Sequence, residues 1–261
     1  MENFAYHRPA SVADAVVALK KAKDGKYMSG GMTLLPTIKL GLATPSDVVD
    51  LSGLKNSGIE SSGAALTVKA GTTHAEVVTG TKAIPALAAL ASGIGDAQVR
   101  NRGTIGGSIA NNDPAADYPA AALGLGATIH TNERKIAADA FFTGLFATAL
   151  NADEVITAVE FPVPAKAGYA KFPNPASRYA MVGVFVAKLK DGSVRVAVTG
   201  AGPKVFREAA MEAALAKDFS ASALKGIAAS AKDLNTDMHA SAAYRAHLIG
   251  VMAKRAVEAA K

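Results

Sequence analysis

The sequence predicts an α+β protein, and three observations favour this class. The first fifty residues fit a small β-α-β unit whose connection carries a glycine pair, Gly30-Gly31. Asp191-Gly192 lies between two stretches with the apolar pattern of strands and predicts a hairpin. The last part of the chain has apolar residues at helical spacing. It therefore predicts a small antiparallel sheet backed by three helices.

Local signals place the elements of the first half. Ser11, followed three positions later by Asp14, predicts the start of a helix over 11–23, and Thr73 predicts the cap of another. An Ala-rich helix is predicted over 84–92. The remaining patterns predict a short helix at 34–41 and strands at 26–28, 47–51, 65–71, 127–131 and 155–161.

Turn residues mark the junctions between elements. The glycine-dense segment 93–107 predicts a loop, Asp113-Pro114 predicts the start of a helix over 114–123, and 162–168 predicts a linker. Strand patterns follow at 179–189 and 194–199, and helical patterns at 207–217, 222–231 and 240–260. We therefore predict an N-terminal subdomain at 1–57, a second subdomain at 58–163 and a C-terminal α+β domain at 168–261.

The composition excludes several classes of protein. The 261 residues include no Cys, which excludes disulfides, thiolate metal sites and an iron–sulfur cluster held by this chain. No apolar run is long enough to span a membrane, and residues 1–9 lack the apolar centre of a signal peptide, so we expect a cytoplasmic protein. The net charge of +6 is spread along the chain, and few aromatic residues are interleaved with the basic ones, which argues against nucleic-acid binding.

Hydrolytic and metal chemistry have little support in the sequence. The Asp and Glu residues form no metal-ligand set, and no Gly-x-Ser-x-Gly is present. Neither Gly-x-Gly-x-x-Gly nor a P-loop pattern occurs, so a Rossmann unit is not expected. The His residues are scattered and show no His-x-x-x-His spacing; they are His7, His74, His130, His239 and His247.

The chemistry of the chain is carried by two glycine pairs in similar contexts. They are Ser29-Gly30-Gly31-Met32-Thr33 (the first motif) and Thr104-Ile105-Gly106-Gly107-Ser108 (the second motif). One isolated pair is more often a tight turn than a ligand site. Two pairs, each near a hydroxyl and an apolar run, favour backbone N–H groups that hold a diphosphate. We accordingly expect Gly106→Val to abolish cofactor binding and to leave the chain largely folded.

Asp117 follows the second motif and allows two interpretations. It is either a solvated surface charge or a carboxylate that accepts hydrogen bonds from the ribose or ribityl hydroxyls of a cofactor. Asp113 is most simply a helix cap.

The two motifs resemble those of a known family. The first is similar to the Ala-Gly-Gly-His-Ser or Ala-Gly-Gly-Thr-Asp motif, and the second contains Thr-Ile-Gly-Gly, as in the FAD-binding medium subunits of molybdenum hydroxylases such as aerobic carbon monoxide dehydrogenase and xanthine dehydrogenase. Four further stretches are typical of this family, at 4–11, 98–103, 153–156 and 179–184. The first motif departs from the family pattern at Ser29 and Met32, which puts a side-chain contact at position 32 in doubt.

The resemblance implies a fold and a cofactor site. It implies a two-subdomain FAD-binding domain of the vanillyl-alcohol-oxidase type, followed by the C-terminal α+β domain of carbon monoxide dehydrogenase flavoproteins. Both motifs would then hold the FAD diphosphate, and Asp117 would bind hydroxyls of the cofactor. Ile156, Lys171 and Tyr179 would lie near the flavin, although from the sequence alone Lys171 is a surface residue and Tyr179 a strand residue. No catalytic residue and no metal are expected in this chain.

The resemblance also implies a function and partners. FAD would take electrons from a [2Fe–2S] small subunit, beside a molybdenum-cofactor large subunit in a dimer of heterotrimers, and pass them to NAD, a quinone or another acceptor. Association with the inner face of the membrane is left open. Two alternatives also stay open: a stand-alone FAD-dependent oxidase or dehydrogenase of the same fold, and a scaffold subunit without FAD.

Overall fold

The N-terminal part of the chain is a three-stranded parallel sheet. The computed structural model describes residues 3–261, so Met1 and Glu2, which begin the segment examined for a signal peptide, lie outside it. The strand order is β1-β3-β2, and parallel pairing brings the carboxyl ends of the strands to one edge. The elements are β1 (Ala5–His7), α1 (Val12–Lys21), β2 (Gly25–Met28), α2 (Leu34–Lys39) and β3 (Asp47–Asp50).

The predicted β-α-β unit is therefore confirmed, with the first motif in the connection between β2 and α2. The Ser11 hydroxyl accepts the Asp14 N–H, as the predicted cap requires.

The middle of the chain is a five-stranded antiparallel sheet surrounded by short helices. The strand order is β4-β5-β10-β6-β7, and a small hairpin of β8 and β9 lies beside it. The strands are β4 (Ile59–Ser61), β5 (Ala65–Lys69), β6 (Thr128–Thr131), β7 (Lys135–Ala137), β8 (Phe142–Gly144), β9 (Ala147–Thr148) and β10 (Ile156–Pro162). The helices are α3 (His74–Gly80), α4 (Pro85–Ser92), α5 (Ala97–Arg100), α6 (Ile105–Asn111), α7 (Tyr118–Leu125) and α8 (Ala138–Phe141).

Three predictions for this region were wrong at their boundaries. The segment 93–107 is not a continuous loop, because it contains α5 and the start of α6. The helix expected from residue 114 begins at Tyr118, because the Asp113 carboxylate accepts the Ala115 N–H and closes a local turn instead of capping a helix. The predicted linker is shorter than 162–168, since β10 runs to Pro162 and β11 begins at Lys166.

The last part of the chain is a four-stranded antiparallel sheet with helices on one face. Its elements are β11 (Lys166–Pro173), β12 (Ala180–Lys188), β13 (Val194–Thr199), β14 (Phe206–Arg207), α9 (Ala209–Lys217) and α10 (Ala242–Glu258). The hairpin at Asp191-Gly192 is confirmed, with Gly192 at φ +88°. The helix predicted over 222–231 is wrong: only a 3₁₀ turn forms at Ala221–Leu224, and Gly226 follows at φ +81°.

Two hydrophobic cores hold these parts together. One fills the space around α7 and includes Phe161 of the middle sheet and Phe185 of the last sheet, both fully buried. The other lies between the opposite face of the last sheet and α9 and α10, with Val184 and Met252 among its residues. Because the first core extends into the last sheet, the boundary at 163–168 is crossed by packed side chains. The three domain ranges stay predictions.

Candidate cofactor site

The two glycine motifs lie against each other, although they are far apart in the sequence. The Ser29 Oγ lies 2.8 Å from the Thr104 Oγ1. Gly30 contacts the main chain of Arg102 and Gly103 so closely that a side chain at position 30 would overlap the Arg102 carbonyl oxygen. The structure thus brings the two predicted motifs together at the carboxyl edge of the parallel sheet.

The first motif presents open backbone donors. Gly31 has φ +74°, a conformation that favours glycine and lets successive N–H groups point in one direction. In the described part of the chain, the N–H groups of residues 30–34 donate to no acceptor. Met32 and Thr33 are exposed. This row of free amides is the feature that a diphosphate requires.

The second motif is closed, which corrects the expectation that both motifs are bends open to a ligand. Thr104 caps α6, and both glycines lie in the first turn of that helix. The Ile105 N–H donates to the Thr72 carbonyl at 3.1 Å, and the Gly106 N–H donates to the Ala70 carbonyl at 2.9 Å. The Gly107 N–H donates to the Thr104 Oγ1 at 3.2 Å.

Gly106 is needed for packing against β5 rather than against a ligand. A Cβ at position 106 would lie 2.8 Å from the carbonyl oxygen of Ala70 and 2.9 Å from its Cα. The sequence led us to expect that Gly106→Val leaves the chain largely folded, but from the structure we expect this substitution to destabilise the fold, because the added side chain would meet backbone. Ser108, half-buried two residues further on in the same helix, makes no side-chain hydrogen bond within residues 3–261.

Asp117 and Lys171 form a buried ion pair, which excludes the surface interpretation of both residues. The Lys171 Nζ lies 3.0 Å from the Asp117 Oδ1, and the side chains are 10% and 3% exposed. The Tyr169 hydroxyl donates to the same oxygen at 2.6 Å. Burial raises the pKa of Asp117, against the opposing charge of Lys171. Burial and the Asp117 charge hold the pKa of Tyr169 well above its usual range, so its hydroxyl remains a donor.

The same pair positions the segment that carries Tyr179. The Lys171 Nζ also donates to the Arg178 carbonyl at 2.9 Å, and Arg178 has φ +62°. Tyr179 is 53% exposed, and partial burial, together with the Asp113 charge, raises its pKa. Ile156 is buried in the core, so its side chain is turned away from solvent.

Sequence reasoning missed two residues beside the motifs, the buried His74 and the half-buried Tyr27. His74 packs under the second motif, with its Nε2 next to Gly103, and burial with the nearby Arg100 charge lowers its pKa to about 4. Tyr27 donates its hydroxyl to the Asp153 carbonyl at 3.1 Å and so ties β2 to the segment before β10. The position of Tyr27 two residues before Ser29 is the one signal in the sequence that relates it to the motif.

The site fits a diphosphate-containing cofactor. Free amides follow a parallel strand, the glycine at φ +74° admits close approach, and a second unit of the protein closes one side. Within residues 3–261, no group of His, Asp and Glu side chains could hold a metal ion. The described helices include none that is long and apolar enough to cross a membrane. Fold and site together favour the class of proteins that bind a diphosphate-containing cofactor.

Comparisons with known proteins identify the family. Residues 2–164 match the family described as the FAD binding domain in molybdopterin dehydrogenase, and residues 167–260 match the CO dehydrogenase flavoprotein C-terminal domain. The carbon monoxide dehydrogenase medium chain of Hydrogenophaga pseudoflava is 32% identical, over 98% of this chain and 96% of that one. The nicotine 6-hydroxylase medium subunit of Paenarthrobacter nicotinovorans is 35% identical, over 97% and 95%.

Solved structures agree with the sequence comparisons. The carbon monoxide dehydrogenase of Hydrogenophaga pseudoflava superposes with a TM-score of 0.86 at 33% identity, covering 99% of this chain and 97% of that chain. Quinoline 2-oxidoreductase from Pseudomonas putida 86 superposes with a TM-score of 0.87 at 28% identity, with the same coverage. The chain belongs to the family of FAD-binding medium subunits of molybdenum hydroxylases, the flavoprotein subunits of oxidoreductases of the carbon monoxide dehydrogenase and xanthine dehydrogenase type.

Proposed function

We propose that the N–H groups of residues 30–34 hold the FAD diphosphate and that this chain relays electrons within a molybdenum hydroxylase. The observation that supports the site is the absence of any acceptor for these amides in the described part of the chain, next to exposed Met32 and Thr33. When bound, FAD supplies a carrier that takes up electrons singly and releases them as a pair.

The second motif supports the proposed site by holding the first motif in place. Thr104 bonds to Ser29, and α6 packs on the end of β5 through Gly106, so one side of the proposed site is held in place. Ser108, half-buried in α6, is retained as a proposed contact of the cofactor.

Asp117 and Lys171 act on the proposed site as a pair. With Tyr169 and Lys171 both bonded to Asp117, little of the carboxylate is left for a cofactor hydroxyl. The ion pair carries no net charge. Lys171 also donates to the Arg178 carbonyl, and the neighbouring Tyr179 presents an exposed ring for the flavin. Ile156 would contact the flavin through its main chain, since its side chain is buried.

The source of electrons lies on another chain. Because these residues include no Cys, a [2Fe–2S] cluster would be held by a small subunit, and a large subunit would carry the molybdenum cofactor. We propose a dimer of such heterotrimers, with NAD, a quinone or another molecule as acceptor. The relatives named as medium chains or subunits support this arrangement.

The proposed relay is tested on the complex isolated through this chain. We expect co-purified large and small subunits, with molybdenum, iron and FAD in fixed ratio, and bleaching of the flavin absorption when the holoenzyme's substrate is added. If the isolated chain alone oxidises an organic substrate, the relay role is contradicted and a stand-alone enzyme is indicated. If the chain holds no flavin in any preparation, the proposed site is wrong.

A further inference from the structure

Two side chains at the end of β2 form hydrogen bonds with the middle part of the chain. Tyr27 lies in β2, and Ser29 follows directly after the last residue of that strand. The Tyr27 hydroxyl donates to the Asp153 carbonyl at 3.1 Å, and the Ser29 hydroxyl bonds to that of Thr104 at 2.8 Å. The free amides of residues 30–34 begin immediately after these two anchors.

The acceptor of the Tyr27 bond belongs to a well-anchored segment. The Asp153 carboxylate lies 2.7 Å from the Lys20 ammonium of α1, so residue 153 is bonded to the N-terminal unit through both its main chain and its side chain. The next residue, Glu154, accepts two bonds from Arg134 at 3.0 and 2.9 Å and one from Thr131 at 2.7 Å. Chiefly because of the Arg134 bonds, the pKa of Glu154 is lowered to about 2.

We propose that Tyr27 is a positioning residue for FAD. Its hydrogen bond holds the end of β2, so that the open amides of the first motif keep a fixed orientation toward the proposed diphosphate site. The inference rests on the proposed role of those amides. Donors that are fixed before binding lower the ordering cost of association and slow release. A neutral hydrogen bond contributes ~1 kcal/mol, which corresponds to about fivefold in a dissociation constant.

Tyr6 offers a matched control for Tyr27. Its hydroxyl donates to Asp50, so this bond stays within the parallel sheet and does not reach the middle part of the chain. Tyr27→Phe and Tyr6→Phe therefore each remove one oxygen atom from a tyrosine in the same small sheet. Only the first substitution removes a hydrogen bond between the strand before the glycine motif and the middle part of the chain.

The test measures FAD binding by the full chain. We expect Tyr27→Phe to raise the FAD dissociation constant about fivefold, mainly through faster release, and to alter the visible circular dichroism of the bound flavin. Tyr6→Phe should match the wild type in both readouts. Ser29→Ala should act in the same direction as Tyr27→Phe, and Ser29→Thr, which keeps a hydroxyl, should bind FAD more tightly than Ser29→Ala.

The inference is overturned if the wild type binds FAD tightly and Tyr27→Phe releases it at the same rate, or if Tyr6→Phe weakens binding equally. A lower unfolding temperature of Tyr27→Phe with unchanged release would also overturn it, since that result indicates a purely structural role. Failure of the wild type to bind FAD would instead contradict the proposed site itself, so the two failures are distinguishable.

Discussion

The two glycine motifs share one sequence pattern but have opposite environments. In the first, Gly31 adopts φ +74° and the following amides have no acceptor within residues 3–261. In the second, the Gly106 N–H is bonded to Ala70, and the space where a Cβ would stand is occupied by that residue. A glycine pair therefore indicates that something approaches the main chain closely, but it does not say whether a ligand or a strand approaches.

Asp117, nine residues after the second motif, gives the largest expected effect on stability. Asp117→Ala leaves the Lys171 ammonium buried without its partner, so we expect a loss of about 3–5 kcal/mol in the free energy of unfolding, measured with urea on the FAD-free chain. Asp24→Ala removes an exposed pair with Lys26 and should cost about 1 kcal/mol or less. If Asp117→Ala is as stable as the wild type but releases FAD, Asp117 is a cofactor ligand, as the resemblance implies.

His74, which packs beside the second motif, makes the stability of the folded chain depend on pH. Its pKa is about 4 in the folded chain and about 6.5 in the unfolded chain. Between these values the unfolded chain binds a proton that the folded chain does not, so stability falls as the pH drops from about 7 to 4. The loss should approach ~3 kcal/mol and be absent in His74→Gln. The same pH-dependent loss in His74→Gln would show that another group is responsible.

Gly106→Ala separates packing from ligand binding at the second motif. The added Cβ would lie 2.8 Å from the Ala70 carbonyl oxygen, so we expect a loss of about 2 kcal/mol in the free energy of unfolding without FAD. Gly250 is the matched helical glycine, since a Cβ there would meet only the Ile227 carbonyl at 3.9 Å. Gly250→Ala should stabilise α10 by up to ~1 kcal/mol. Equal effects of the two substitutions would refute the close packing of α6 on β5.

Met32, in the first motif, tests the open amides through FAD affinity, and its substitution should change the stability of the fold least. Met32→Glu puts a negative charge beside the proposed diphosphate on a side chain that is 39% exposed, so FAD should bind about tenfold more weakly and recover in high salt. Leu42→Glu makes the same charge change on a side chain that is 75% exposed beyond α2, and it should bind FAD like the wild type. Equal weakening in both variants would indicate a general charge effect.

The sequence predicted those elements whose signals are local. The Ser11 and Thr73 caps and the hairpin at Asp191-Gly192 depend on residues within a few positions, and each is confirmed. The helix predicted over 222–231 failed, although apolar spacing favoured it; Gly226 at φ +81° interrupts the chain there. The pairing of the two motifs was inferred from their similar contexts rather than from any distance, and the contact between Ser29 and Thr104 supports it.

The sequence could not predict contacts that depend on distant residues. Asp117 appeared equally compatible with a surface charge and a cofactor ligand, because its partners Tyr169 and Lys171 lie on a strand of the last sheet. The role of Gly106 depends on Ala70, and the anchor at Tyr27 depends on Asp153. In each case the decisive neighbour is set by tertiary packing, which local propensity does not encode.

Amide hydrogen exchange with and without FAD compares the two motifs most directly. In the FAD-free chain we expect fast exchange at residues 30–34 and slow exchange at Ile105, Gly106 and Gly107, because only the latter amides are bonded within the protein. Addition of FAD should slow exchange at residues 30–34 and leave the second motif unchanged. Protection that arises on FAD addition at Gly106 and not at residues 30–34 would contradict the assignment of the two motifs.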